Sequence, residues 1–87
     1  MIGQQTRRFS MSIQIKYFAS MRDRMGRAGD TVAANGVVTV AELWSRLSDA
    51  KPLPPNTLVA INMEYSHLDA PVKDGDEVAF FPPVTGG

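Results

Sequence analysis

The apolar pattern predicts a two-layer α+β domain, a mixed sheet with one main helix packed on it. Three observations predict it. Period-two alternation at residues 13–17 and again at 77–81 marks a strand at each end of the domain. One apolar stripe at helical spacing, Val40, Leu43, Trp44 and Leu47, marks a single full helix. Between them lies a nearly all-apolar run from Thr57 to Asn62, which reads as a buried central strand.

The elements follow in order. Ile13-Gln14-Ile15-Lys16-Tyr17 alternates with β-branched residues and is the first strand. Phe18, Met21 and Met25 recur at three- and four-residue spacing, a short amphipathic helix over 18–25 that Gly26 ends. Asp30–Ala34 is a second strand, followed by an Asn35-Gly36 turn. The main helix spans Val40–Ala50. Thr39 caps it and Glu42 stands three residues later, the pattern of a capping box. Trp44 falls on the apolar stripe and is expected in the core rather than as a stacking platform. Lys51-Pro52 closes the helix, and Pro54-Pro55 stiffens the following loop. Met63–Ser66 is a short strand after a turn. Lys73-Asp74-Gly75-Asp76 is a turn that uses the positive φ open to Gly75. Glu77–Phe81 is the last strand, with Val78 and Phe80 on one face and Ala79 and Phe81 on the other. The helix is long enough to serve as a crossover, so strands before and after it can run parallel.

Composition excludes several classes of function. The chain has 87 residues, room for one domain. It has no cysteine, which removes disulfides, zinc–thiolate sites, iron–sulfur clusters and a thiol nucleophile. Nine basic residues balance nine acidic ones, which argues against nucleic acid as a partner. The balance is uneven: residues 1–46 carry seven basic and three acidic side chains, and residues 47–87 two and six. Asp69, Asp74, Asp76 and Glu77 are read as parts of a solvated surface, with steering of a partner as the other reading. His67 is the only histidine and is expected in an exposed loop, so no nucleophile–base pair stands out and the chain is not expected to be catalytic alone. No metal site is expected. No run is long enough to cross a bilayer, and residues 1–11 lack an apolar signal core, so they are read as a disordered extension. The expected compartment is the cytoplasm.

The end of the chain is the informative part. After the strand come Pro82-Pro83-Val84-Thr85-Gly86-Gly87, an extended tail over 82–87 following a domain over 12–81. Pro82-Pro83 cannot donate backbone hydrogen bonds, so the chain must leave the sheet. Six residues reach roughly 20 Å when extended. Val84, Thr85, Gly86 and Gly87 carry no charged side chain, and the two glycines let a partner close tightly around the terminus. The group at the tip is the carboxylate of Gly87, a poor electrophile that becomes a good one as an acyl-adenylate. Alternation turns Tyr17 and Phe80 inward. Phe18 and Phe81 then stand open to two readings, an exposed apolar patch or further core packing. Arg22 can form an ion pair at the rim of such a patch.

These residues resemble the small subunit of molybdopterin synthase, a family of ubiquitin-like β-grasp sulfur carriers. The resemblance runs from Ile13 to Gly87. Its most specific block is Asp74-Gly75-Asp76-Glu77-Val78-Ala79-Phe80-Phe81-Pro82-Pro83-Val84-Thr85-Gly86-Gly87. A second is Tyr17-Phe18-Ala19-Ser20-Met21-Arg22-Asp23, where Asp23 stands for the family's Glu, and a third is Val59-Ala60-Ile61-Asn62. Residues 1–11 have no counterpart, and 63–68 are only loosely family-like.

The resemblance implies that a partner akin to the ubiquitin-activating enzymes adenylates Gly87 with ATP. Sulfur then replaces one carboxyl oxygen, giving a C-terminal thioglycine. It further implies docking on the large synthase subunit, with the tail in that subunit's active site, in a heterotetramer of two small and two large subunits. There the thiocarboxylate attacks cyclic pyranopterin monophosphate, and two loaded carriers act in turn to build the dithiolene. No bound cofactor is implied. The alternatives share the tip: a sulfur carrier for thiamine thiazole, tRNA thiolation or cysteine synthesis, a ubiquitin-like modifier that forms isopeptide bonds, or an interaction module whose tail is incidental.

Overall fold

A computed structural model of the chain describes residues 12–34 and 39–83. The elements are β1 (Ser12–Tyr17), α1 (Ser20–Met25), β2 (Gly29–Ala33), α2 (Val40–Ser48), β3 (Leu58–Ile61), β4 (Glu64–Ser66) and β5 (Glu77–Phe81). The five strands form one mixed sheet in the order β2-β1-β5-β3-β4. β1 and β5 lie parallel at its centre, with Tyr17 opposite Phe80, and the other neighbours pair antiparallel. β2 and β3, the strands that α2 joins, therefore point the same way on either side of the central pair. This is the β-grasp arrangement that the resemblance implies.

One face of the sheet is the core. The alternation in β1 buries Ile13, Ile15 and Tyr17, and that in β5 buries Val78 and Phe80. Val40, Leu43 and Trp44 from α2 pack onto them, with Leu47 half-buried at the margin. Each such side chain removed from water contributes about 1.5–3 kcal/mol. Phe80 sits between Tyr17, ring centroids 6.3 Å apart, and the edge of Trp44 at 5.1 Å. Trp44 is thus a core residue, and its indole N–H donates to the Lys51 carbonyl at 2.8 Å. Tyr17 is anchored at the core's rim, where its hydroxyl donates to Asp30 (2.8 Å) and the Arg27 guanidinium lies over its ring. Burial first, and the Asp30 carboxylate second, push the Tyr17 hydroxyl well above the usual phenol range, so it remains a donor.

Several boundaries differ from the pattern by one or two residues, and four of them have a local reason. α1 begins at Ser20 rather than Phe18, because Ala19 takes φ 53°, ψ −127° and turns the chain sharply, with Met21 N–H donating to the Phe18 carbonyl at 3.0 Å. Gly26 ends it in the left-handed region, as the glycine predicts. β2 starts one residue early, at Gly29, where a Cβ would fall 2.5 Å from the Ile15 carbonyl oxygen; only glycine allows that approach. α2 ends at Ser48 because Asp49 and Ala50 are left-handed and return their N–H groups to the Ser45 carbonyl. Its start is as expected, with Thr39 Oγ1 accepting from Glu42 N–H at 3.2 Å. The β3–β4 connection is a two-residue turn at Asn62-Met63, so β4 begins at Glu64 rather than Met63.

Candidate functional site

The site is built around the end of β5. Phe81 is the last strand residue, opposite Leu58 of β3, and the Phe80 carbonyl still accepts from Phe18 N–H at 3.1 Å. Pro82 and Pro83 follow, the first half-buried and the second exposed. Neither carries an N–H, so the ladder cannot continue past Phe81. Val84, Thr85, Gly86 and Gly87 lie outside the described residues.

The sheet face away from α2 carries the second part of the site. Phe18 and Phe81 stand on it and stack face to face, centroids 4.9 Å apart and planes 6° from parallel. Phe18 is 37% exposed while its neighbour Tyr17 is 1% exposed, the expected result of a side-chain period of two. The two open readings of this pair are thereby resolved: Phe18 and Phe81 are on the outer face and not in the core. Tyr65 of β4 meets Phe81 edge-on at 6.2 Å and is itself exposed. Ala60 and Ala79 face each other across β3 and β5 and leave a groove of about 290 Å³, which Phe18, Phe81 and Met63 wall. Lys16 and Glu77, an ion pair at 3.2 Å, also line it. Arg22 is exposed on α1 beside Phe18, and makes no ion pair among the described residues.

A polar brace sets where β5 begins. Asp76 is only 4% exposed. Its carboxylate accepts from Asn62 Nδ2 (2.9 Å), Lys73 N–H (2.9 Å) and Lys73 Nζ (3.3 Å). Asn62 completes the brace: Glu77 N–H donates to its side-chain oxygen at 3.0 Å, and its own N–H donates to the Glu77 carbonyl at 2.8 Å. Asp76 is therefore not the solvated turn residue expected from its neighbours; Asp69 and Asp74 are exposed, and Glu77 is half-buried. Burial works against its charge, yet the Asn62 amide and the Lys73 backbone and ammonium outweigh that and hold its carboxyl below the usual range. His67 is exposed in a loop.

Taken together, the strands present the tail's root and an aromatic face side by side. Phe18 and Phe81 are brought together, Pro82 follows Phe81 in the chain, and Arg22 lines a separate hollow that also includes Phe18. Met63, Tyr65 and the Asn62–Asp76 brace were not legible as parts of the site. Their faces depend on the β3–β4 register, which a two-residue turn sets and local composition does not reveal. No group of three or more His, Asp or Glu side chains that could hold a metal occurs among the described residues, and no helix among them is long and apolar enough to cross a membrane.

Comparison with known proteins gives a consistent answer. The model of the ThiS family matches residues 15–87. The molybdopterin synthase sulfur carrier subunit of Escherichia coli is 36% identical over 85 residues, covering 86% of this chain and 99% of that one. Among solved structures, the complex of subunits 1 and 2 of the molybdopterin-converting factor from Helicobacter pylori contains a chain 26% identical, with TM-score 0.61, covering 88% of this chain and all of that one. The small archaeal modifier protein 1 of Haloferax volcanii matches with TM-score 0.71 at 27% identity, covering 84% of this chain and 98% of that one.

Proposed function

The chain belongs to the ThiS family, and from that membership we propose that it is the sulfur carrier subunit of a molybdopterin synthase. The observation that carries this reading is the end-to-end match to the Escherichia coli sulfur carrier subunit, 36% identical over 99% of its length. One further feature supports it. The last strand leads directly into Pro82-Pro83 and a tail whose reactive group is a main-chain carboxylate.

In this reading an adenylyltransferase partner joins the Gly87 carboxylate to the AMP of ATP, and pyrophosphate leaves. A sulfur donor then displaces AMP, and the tail carries a thiocarboxylate. The sulfur is more polarisable than oxygen and a better nucleophile toward cyclic pyranopterin monophosphate. The large synthase subunit takes the tail and docks on the outer sheet face. Phe81 is continuous with the tail, so a protein that encloses residues 82–87 meets Phe81, Phe18 and Tyr65 next. Aromatic side chains at the centre of a patch and a charged rim at Lys16, Glu77 and Arg22 suit an interface that must form and release.

The test is the length of the tail. Deleting Gly87, or adding one residue after it, is expected to abolish sulfur transfer to the pterin while urea unfolding is unchanged. Retained transfer in either variant would show that the terminus is not the reacting group. The likeness to a small archaeal modifier protein favours one second reading, a conjugated modifier. It predicts isopeptide-linked products on lysines of other proteins, where the carrier reading predicts none.

A further inference from the structure

The β3–β4 turn places an exposed methionine where its backbone is least at ease. Asn62 and Met63 have φ 52° and 71°, both left-handed, as a two-residue hairpin turn requires. Asparagine tolerates that region at the first position. The second position ordinarily takes glycine, because any β-carbon there is strained. Met63 nonetheless occupies it. Its side chain makes no use of the core, since it is 89% exposed, the most open of the large apolar side chains among the described residues. It instead walls the outer-face groove with Phe18, Ala60, Ala79 and Phe81. A residue that strains its turn, leaves the core and stands over an aromatic face contributes nothing evident to the folded monomer.

We infer that Met63 is a partner-contact residue, held over the groove by the strained turn so that its thioether enters an apolar pocket on the protein that accepts the tail. This rests on the docking of the outer face argued above. The occupant follows from continuity: Phe81, which lines the groove, is followed directly by Pro82-Pro83 and the rest of the tail, so one partner covers both. An unbranched, polarisable side chain with three rotatable bonds fills an irregular pocket well and adapts to more than one partner. Stability and binding then move in opposite directions at this one position. A merely structural methionine would move them together.

The experiment measures the melting temperature of each full-length variant and its affinity for the large synthase subunit of the same organism by titration calorimetry. Met63→Gly is expected to melt a few degrees higher than the parent and to bind about tenfold more weakly. Met63→Leu keeps an apolar side chain and is expected to bind within about threefold of the parent. Tyr65→Asp, on the same exposed face, is the control for docking and is expected to weaken binding by more than about tenfold. Unchanged affinity in Met63→Gly with weakened binding in Tyr65→Asp overturns the role of Met63 alone. Unchanged affinity in both overturns the docking of the outer face. A lower melting temperature for Met63→Gly overturns the strain on which the inference stands.

Discussion

Replacing Asp76 tests whether the start of β5, and with it the geometry of the tail, depends on a buried charge. Asp76→Ala removes an acceptor that serves Asn62 Nδ2 and Lys73 N–H, each at 2.9 Å, and Lys73 Nζ at 3.3 Å. A hydrogen bond to a charged acceptor is worth about 1.5–3 kcal/mol net. The Lys73 ammonium is 81% exposed, so its contribution is close to nothing. The two inner bonds would sum to about 3–6 kcal/mol, but water can reach the freed Asn62 amide, which reduces the loss to about 2–4 kcal/mol. For a domain of this size that lowers the melting temperature by roughly 10–25 °C.

Asp76→Asn keeps an acceptor without the charge and should lose about half as much. The sign with pH follows from the depressed carboxyl. Its stabilisation is fully present above the unfolded value, about pH 4, and fades as pH falls through the lower folded value. Urea unfolding of the parent and Asp76→Asn should therefore show a constant gap between about pH 7 and pH 5 that narrows below about pH 4. A loss under about 0.5 kcal/mol in Asp76→Ala, or a gap that does not change with pH, would refute the brace.

Two further outcomes follow from the same structure. Phe80→Ala empties the centre of the core between Tyr17 and Trp44, and is expected to cost about 3–5 kcal/mol in urea unfolding. A cost below about 1.5 kcal/mol would mean that the core is not centred there. Ala19→Gly relieves a backbone at φ 53°, ψ −127° and is expected to gain about 0.5–1 kcal/mol, read as a rise in melting temperature. A fall would mean that Ala19 is not strained.

The fold was legible wherever a physical period was long enough to read. Ile13, Ile15 and Tyr17 alternate with polar residues and face the core, and the stripe of α2 does the same at helical spacing. The termini of elements were not legible where a single residue adopts an uncommon backbone. Ala19, Asp49 and Ala50 carry no composition signal for their positive φ, and Gly29 is required by the approach of Ile15, which only pairing reveals. The end of the last strand at Phe81 was legible because it rests on residue identity: Pro82 and Pro83 lack N–H groups wherever they fold. The outer face was half legible. Alternation places Phe18 and Phe81 opposite Tyr17 and Phe80, whereas Tyr65 joins them only through the register that pairs it with Ala60. The burial of Asp76 is hidden from the sequence for the same reason, since its partner Asn62 lies 14 residues away and is brought close by β3–β5 pairing.

In the proposed function, Gly87 carries the sulfur. The most direct measurement is the intact mass of the full chain after incubation with its activating enzyme, ATP and a sulfur source. The expected result is the replacement of one oxygen by sulfur, confined to the fragment containing Gly87. An unchanged mass, under conditions that load a control carrier, would contradict it.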